Sequence, residues 1–228
     1  MQVDDTHTRT QSLFTLPSLG LHHFYRYESL GSTNLPTTVD WRAASTQPQQ
    51  PQGSCEASWA MAIASAAQSV AQIVVGRSTP LSVQQLLSCS TGMGCGGGVA
   101  DSALRWVEAN GGLDSAENQP YWGNDSSCRN SRHHVLTLRS PGYAYVPAGS
   151  GEAIRLAVSQ HPVIVALGMS PAMKLYAGGI YSEPSSMAPP DHYMVIEGYT
   201  YTKGGGNNFW YLSSSPPCLL ACLECAER

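Results

Sequence analysis

The sequence predicts an α+β fold, helical in its first half and mostly β in its second. Two observations predict this. An alanine-rich stretch after Ser58 carries Trp59, Ile63, Ala66, Ala67, Val70, Ile73 and Val74 at three- and four-residue steps, which lays one apolar stripe along a helix. The second half instead carries β-branched and aromatic runs at Pro162–Leu167, Asp191–Tyr199 and Phe209–Leu212. At 228 residues the chain can bury a proper core, as one domain or as two lobes sharing a cleft. Its net charge is −4 and 12% of its residues are charged, against about 25% in ordinary globular proteins. No basic patch suggests nucleic acid, and no run is expected to span a membrane.

In chain order, residues 1–34 form a polar, weakly patterned leader with one apolar cluster at Leu19–Tyr27. The Gln/Pro-rich connector Thr46–Gln52 cannot be helical with its prolines so spaced. The helix after Ser58 follows, with Ala60, Ala62, Ala64 and Ala71 adding helix propensity. Ser58 falls at or just before its first turn, where free N–H groups and the positive end of the dipole favour negative charge, and where a serine often serves as a plain N-cap. Ser82 and Gln85 form a capping-box pattern opening Val83–Ser88. After the glycine-rich Gly94–Gly98, a helix over Asp101–Asn110 is ended by Gly111 and Gly112. A last helix over Glu152–Ser159 leads into the β-branched runs.

The segment Gln52-Gly53-Ser54-Cys55-Glu56-Ala57-Ser58-Trp59 resembles the active-site loop of the papain and cathepsin L cysteine peptidases, whose local signature is Cys-Gly-Ser/Ala-Cys-Trp/Tyr. Four further stretches resemble that family in order: Leu35–Arg42 at the start of the mature enzyme, Gly94–Gly98, Gly111–Tyr121, and the histidine strand Asp191–Tyr199. Ser58 and His192 stand 134 residues apart, inside the family's window of about 130–150. The resemblance implies a two-lobed papain-like domain over 35–213, with a helical lobe over about 35–140 and a β-barrel-like lobe over 141–213, which is expected to be truncated because the family continues for several more strands. Residues 1–34 then take the place of a propeptide that could lie in the cleft, and 214–228 form a divergent cysteine-rich tail.

The resemblance also implies site residues. Ser58 stands at the nucleophile position, where the family has cysteine, and His192 stands at the base position. Gln52 stands where the family places an amide for the oxyanion, a donor that acyl transfer needs. Ser214 replaces the asparagine that orients the histidine, and Pro216 the tryptophan that covers it. Gly97, Gly98, Val99 and Ala100, with Ala166 and Asp191 from the second lobe, take substrate-binding positions. Glu56 replaces a cleft-lining glycine, narrowing the first subsite and opposing an oxyanion with its charge.

Papain-type chemistry depends on a thiol that ionises beside an imidazolium, which a serine hydroxyl will not do. The chain is therefore expected to be a catalytically inactive homologue, a pseudoprotease that binds an extended peptide or protein in its cleft, or its own leader, or serves as a subunit of a larger assembly. Serine at this position is similar to the matrix proteins of the tubulointerstitial nephritis antigen group. The alternative is a serine-nucleophile hydrolase resembling the silicateins, or a peptidase with residual activity. Silicateins keep the asparagine that this chain lacks. No cofactor is expected.

Of the seven cysteines, Cys55, Cys89, Cys95 and Cys128 admit three pairings by sequence alone. The resemblance implies Cys55–Cys95 and Cys89–Cys128. Cys218, Cys222 and Cys225 fit no standard zinc spacing, so no metal site is expected. Bridges need an oxidising compartment, and the resemblance implies a secretory, lysosomal or extracellular one. Yet Met1-Gln2-Val3-Asp4-Asp5 does not read as a signal peptide. Asn124-Asp125-Ser126 is a glycosylation sequon that matters only on the secretory route.

Overall fold

The computed structural model describes residues 2–4, 13–15, 35–44, 50–90, 94–129, 133–137, 142–147, 149–182, 189–203 and 208–214. The tail with Cys218, Cys222 and Cys225, Pro216, and leader residues 16–34 lie outside them.

The first helix, α1, runs Ser58–Val75 and ends where Gly76 turns left-handed at φ 75°, a geometry glycine adopts without steric cost. Of the apolar stripe, Trp59, Ile63, Ala66, Ala67 and Val70 are buried, while Val74 is exposed, so the stripe runs out in the last turn. By length and composition α1 is apolar enough to cross a bilayer, with mean hydropathy 1.3, which the sequence reading did not expect. Two thirds of it is buried instead within the protein, and it is the core helix of the first lobe.

Two shorter helices pack against it. α2, Val83–Cys89, is capped by the Ser82 hydroxyl, which accepts from the Gln85 N–H at 2.9 Å. The expected capping box is only half formed. The Gln85 amide oxygen accepts from the Asp114 N–H, while the Ser82 N–H goes to the Asp114 carbonyl. α3, Ala100–Asn110, ends at left-handed Gly111. Disulfides join Cys55 to Cys95 and Cys89 to Cys128, as the resemblance implied.

Among the described residues, the second lobe is one sheet of eight strands. They are β1 Gln2–Asp4, β2 Leu13–Thr15, β3 Thr38–Asp40, β4 Ala144–Val146, β5 Val163–Leu167, β6 Ile180–Tyr181, β7 His192–Thr200 and β8 Phe209–Ser213. Their order is β4-β2-β5-β7-β8-β1-β6, with β3 paired to β7. Helix α4, Gly151–Val158, capped by Ser150, and the short α5, Pro171–Lys174, cover this lobe. All five residues of β5 are buried, which explains their uniformly apolar run.

The two leader strands lie apart in the sheet. β2 sits between β4 and β5, with Phe14 opposite both Tyr145 and Ile164. β1 lies between β8 and β6, with Val3 opposite Trp210 and Tyr181. The sequence reading gave the leader a place in the cleft. These six residues are in the sheet, and any passage through the cleft rests on residues outside the described ones.

Two apolar cores result. One gathers α1, α2 and α3 and reaches across to Ile164 and Val195, and the other lies under α4 with Trp210 and Tyr199 at its centre. A polar link also ties the lobes at the surface. The Asp101 carboxylate on α3 accepts hydrogen bonds from Tyr143 at 2.7 Å and from Tyr145, beside and within β4, while Arg105 binds its other oxygen at 3.0 Å.

Candidate active site

The site forms where the start of α1 meets the start of β7. Gly53, at φ 69°, turns the chain after Gln52, and the Cys55–Cys95 bridge then fixes the approach to α1. Ala57, not Ser58, is the N-cap residue, and it makes no side-chain cap bond. Ser58 is the first residue of the helix and is buried, and its hydroxyl oxygen accepts from the Tyr193 N–H at 3.2 Å. The plain capping role open to Ser58 in the sequence is therefore not the one it plays.

His192 opens β7, opposite Leu167, the last residue of β5. Its Nε2 lies 2.6 Å from the Ser214 hydroxyl. Ser214 thus reaches the imidazole despite its short side chain. Burial lowers the His192 pKa from its ordinary 6.5, with Asp191 opposing and Lys174 adding to that shift, so the ring favours its neutral form. Among the described residues, no hydrogen bond joins Ser58 to His192.

Tyr193, which sequence reasoning did not single out, links the lobes. Besides its N–H bond to Ser58, its hydroxyl accepts from the Ala100 N–H at 3.3 Å, and it pairs with Ala166 across the sheet. Its signal in the sequence was only its place beside the histidine.

The glycine-rich wall is occupied from within. A Cβ on Gly97 would lie 3.3 Å from a Glu56 carboxylate oxygen, so Glu56 leans over that glycine. A Cβ on Gly98 would come within 2.4 Å of the Trp59 indole, so only glycine allows this close approach. Ala100 is fully buried, whereas Val99 is 47% exposed. Asp191 is exposed and accepts from the Met169 N–H at 2.8 Å. Gln52 is buried, its amide oxygen has no hydrogen-bond partner among the described residues, and its carbonyl accepts from the Tyr121 hydroxyl at 2.6 Å. The structure thus gathers Ser58, Ala100 and Ala166 around Tyr193, joins Ser214 to the adjacent His192, and sets Glu56 on Gly97. Among the described residues, no direct hydrogen bond runs from Gln52, Val99 or Asp191 to that group.

The family model for papain family cysteine proteases matches residues 35–215. The chain belongs to the papain family. It is 32% identical over 194 residues to the senescence-specific cysteine protease SAG12 of Arabidopsis thaliana, covering 84% of this chain and 56% of that one. It is also 32% identical over 189 residues to procathepsin L of Rattus norvegicus, covering 79% and 56%. The papain-family chain therefore spans little more than half the length of these curated relatives. Among solved structures, the bromelain protease of Ananas comosus in complex with the E64 inhibitor superposes with a TM-score of 0.71 at 29% identity, covering 80% of this chain and 84% of that one. Digestive procathepsin L2 from Tenebrio molitor larval midgut gives 0.74 at 30% identity, covering 82% and 60%.

Proposed function

We propose that this papain-family chain is a non-catalytic homologue, holding an extended peptide or protein segment in its cleft or serving as a structural subunit. One observation carries the reading. Ser58, at the position of the family's nucleophile, is buried and held as an acceptor by the Tyr193 N–H, with no hydrogen bond to His192 among the described residues. A serine nucleophile must pass its proton to a neutral, oriented imidazole during attack, so it needs that bond. A cysteine would instead ionise beforehand, and hydroxyls do not. Glu56 supports the same reading, because a carboxylate on the glycine wall repels an oxyanion and crowds the main chain of a substrate. Loss of a nucleophile of this kind typically costs about 10⁶-fold in turnover.

The serine-hydrolase reading is favoured by one contact, the short His192–Ser214 distance. With Nε2–H donating to Ser214, Nδ1 would be free to act as base. Hydrolysis of a mixed fluorogenic peptide library by the parent, Ser58→Cys and His192→Ala separates the two. The non-catalytic reading expects silence from the parent. Turnover by the parent that vanishes in His192→Ala would overturn it and establish a serine–histidine hydrolase. Activity confined to Ser58→Cys would mean a cleft disarmed at one atom, and silence throughout would leave binding as its use.

A further inference from the structure

We propose that Asn124 carries an N-linked glycan, whose first sugars cover the exposed indole of Trp122. Asn124-Asp125-Ser126 is the only Asn-X-Ser/Thr sequence with X other than proline in all 228 residues. A motif alone is weak, but three structural observations converge on this one.

The first is presentation. Residues 121–129 form no helix or strand, and Asn124 is exposed, with its side-chain amide making no hydrogen bond among the described residues. The groups around it are held instead. The Asn124 carbonyl accepts from the Gln84 amide at 3.0 Å, Asp125 accepts from the Cys95 N–H at 2.7 Å, and the Ser126 hydroxyl lies 2.7 Å from that of Ser88. The loop is therefore fixed by its neighbours' contacts while Asn124 itself is exposed.

The second is Trp122, two residues before the acceptor and 66% exposed. An indole left so open costs solvation that its amphipathic ring recovers by covering an apolar surface. The C–H face of a pyranose is such a surface, joined by a short link from Asn124. The third is compartment. Cys128 lies in the same loop and is bridged to Cys89, and Cys55 is bridged to Cys95. Disulfides of this kind persist in the oxidising space where oligosaccharide transfer also takes place.

The transfer balances simply. The Asn124 Nδ2 bonds to C1 of the first sugar of a lipid-pyrophosphate-linked oligosaccharide, the C1–O bond to phosphate breaks, and the lipid pyrophosphate leaves with the electron pair. The amide loses one proton. Nothing in the chain is oxidised or reduced. Because Asp125 touches Gly94 and Cys95, the glycan would stand beside the loop that leads into Gly97 and Gly98. It would screen that flank from large partners while leaving the start of β7 open.

The test directs the full chain into the secretory route of a eukaryotic cell with an added signal sequence. The secreted protein is read by electrophoresis before and after peptide-N-glycosidase, and by mass spectrometry of the loop peptide. The expected result is one heavier species that collapses to a single lighter one, with Asn124 converted to Asp. Asn124→Gln should migrate at the lighter position without treatment, and Ser126→Thr should keep the glycan. Trp122→Ala should keep the glycan but abolish any difference in thermal midpoint between glycosylated and deglycosylated protein. Secreted parent with both disulfides formed and Asn124 unmodified would overturn the proposal, and so would failure of the parent to form its disulfides there. Because the parent's own loop peptide is read directly, poor folding of a variant leaves the answer intact.

Discussion

Replacing Cys55 and Cys95 together by alanine should destabilise the protein by about 4 kcal/mol. The bridge closes a loop of 40 residues, and the chain-entropy relation gives about 13 cal/mol/K for such a loop, or about 4 kcal/mol at 25 °C. That is a large share of the roughly 5–15 kcal/mol by which domains are stable. The Cys89–Cys128 bridge closes a loop of 39 residues, so the pair Cys89→Ala/Cys128→Ala should lose nearly the same amount. The two differ in what they hold. Cys55 and Cys95 bind the start of α1 to the glycine-rich loop, where the Glu56 N–H also donates to the Cys95 carbonyl at 3.1 Å. Only loss of that bridge should therefore loosen Glu56 from Gly97, and with it the approach to Ser58. The assay is urea unfolding followed by far-UV circular dichroism, and the denaturant slope should rise because the unfolded chain is no longer tied. A double variant within about 0.5 kcal/mol of the parent would refute the reasoning, as would a loss at Cys89/Cys128 several times larger than at Cys55/Cys95.

Two further outcomes follow from contacts at the site and in the core. Gly98→Ala places a methyl 2.4 Å from the buried Trp59 ring, so it should cost about 1–3 kcal/mol by overpacking and alter the near-UV signal of that indole; an unchanged thermal midpoint would refute the close approach. Burial lowers the pKa of both His161 and His192 from 6.5, so each binds a proton more readily when unfolded. The stability they contribute is present above that pH and is lost as pH falls through their lowered folded values. Urea midpoints should therefore drop below about pH 6.5, and His161→Leu should flatten the decline.

Much of this was legible in the residues because periodicity and spacing are local. The α1 stripe, the glycine stops after it and after α3, and the apolar β5 each follow from a few neighbouring side chains. Ser58 and His192 are singled out by a motif and a distance along the chain, and the structure sets Ser58 against the Tyr193 N–H, next to His192. What escaped had no local signature. Gln85 abandons its reciprocal cap because Asp114, far along the chain, offers its N–H. The apolar character of α1 is that of a core helix, but composition counts it as a span. The contacts of Tyr193 with Ser58 and Ala100 exist only once two lobes meet. Ser214 was read as a loss, since a motif compares residue types and not reach, yet its hydroxyl sits at the imidazole. The strands β1 and β2 are three residues each, too short to show alternation, and their partners lie across the whole helical lobe.

Those two strands set an order of events for synthesis on the ribosome. Each of them is made before the strand it pairs with and cannot find its place until that strand has emerged, since β2 waits for β5 and β1 waits for β8. A sheet closed by such distant pairings forms slowly and leaves open edges in the interval. The helical lobe, stapled within itself, has no such wait. Among the described residues β4 has β2 as its only neighbour in the sheet, and Tyr145 of β4 with adjoining Tyr143 grips Asp101 of α3. Seating β2 between β5 and β4 is thus the late step that clamps one lobe to the other.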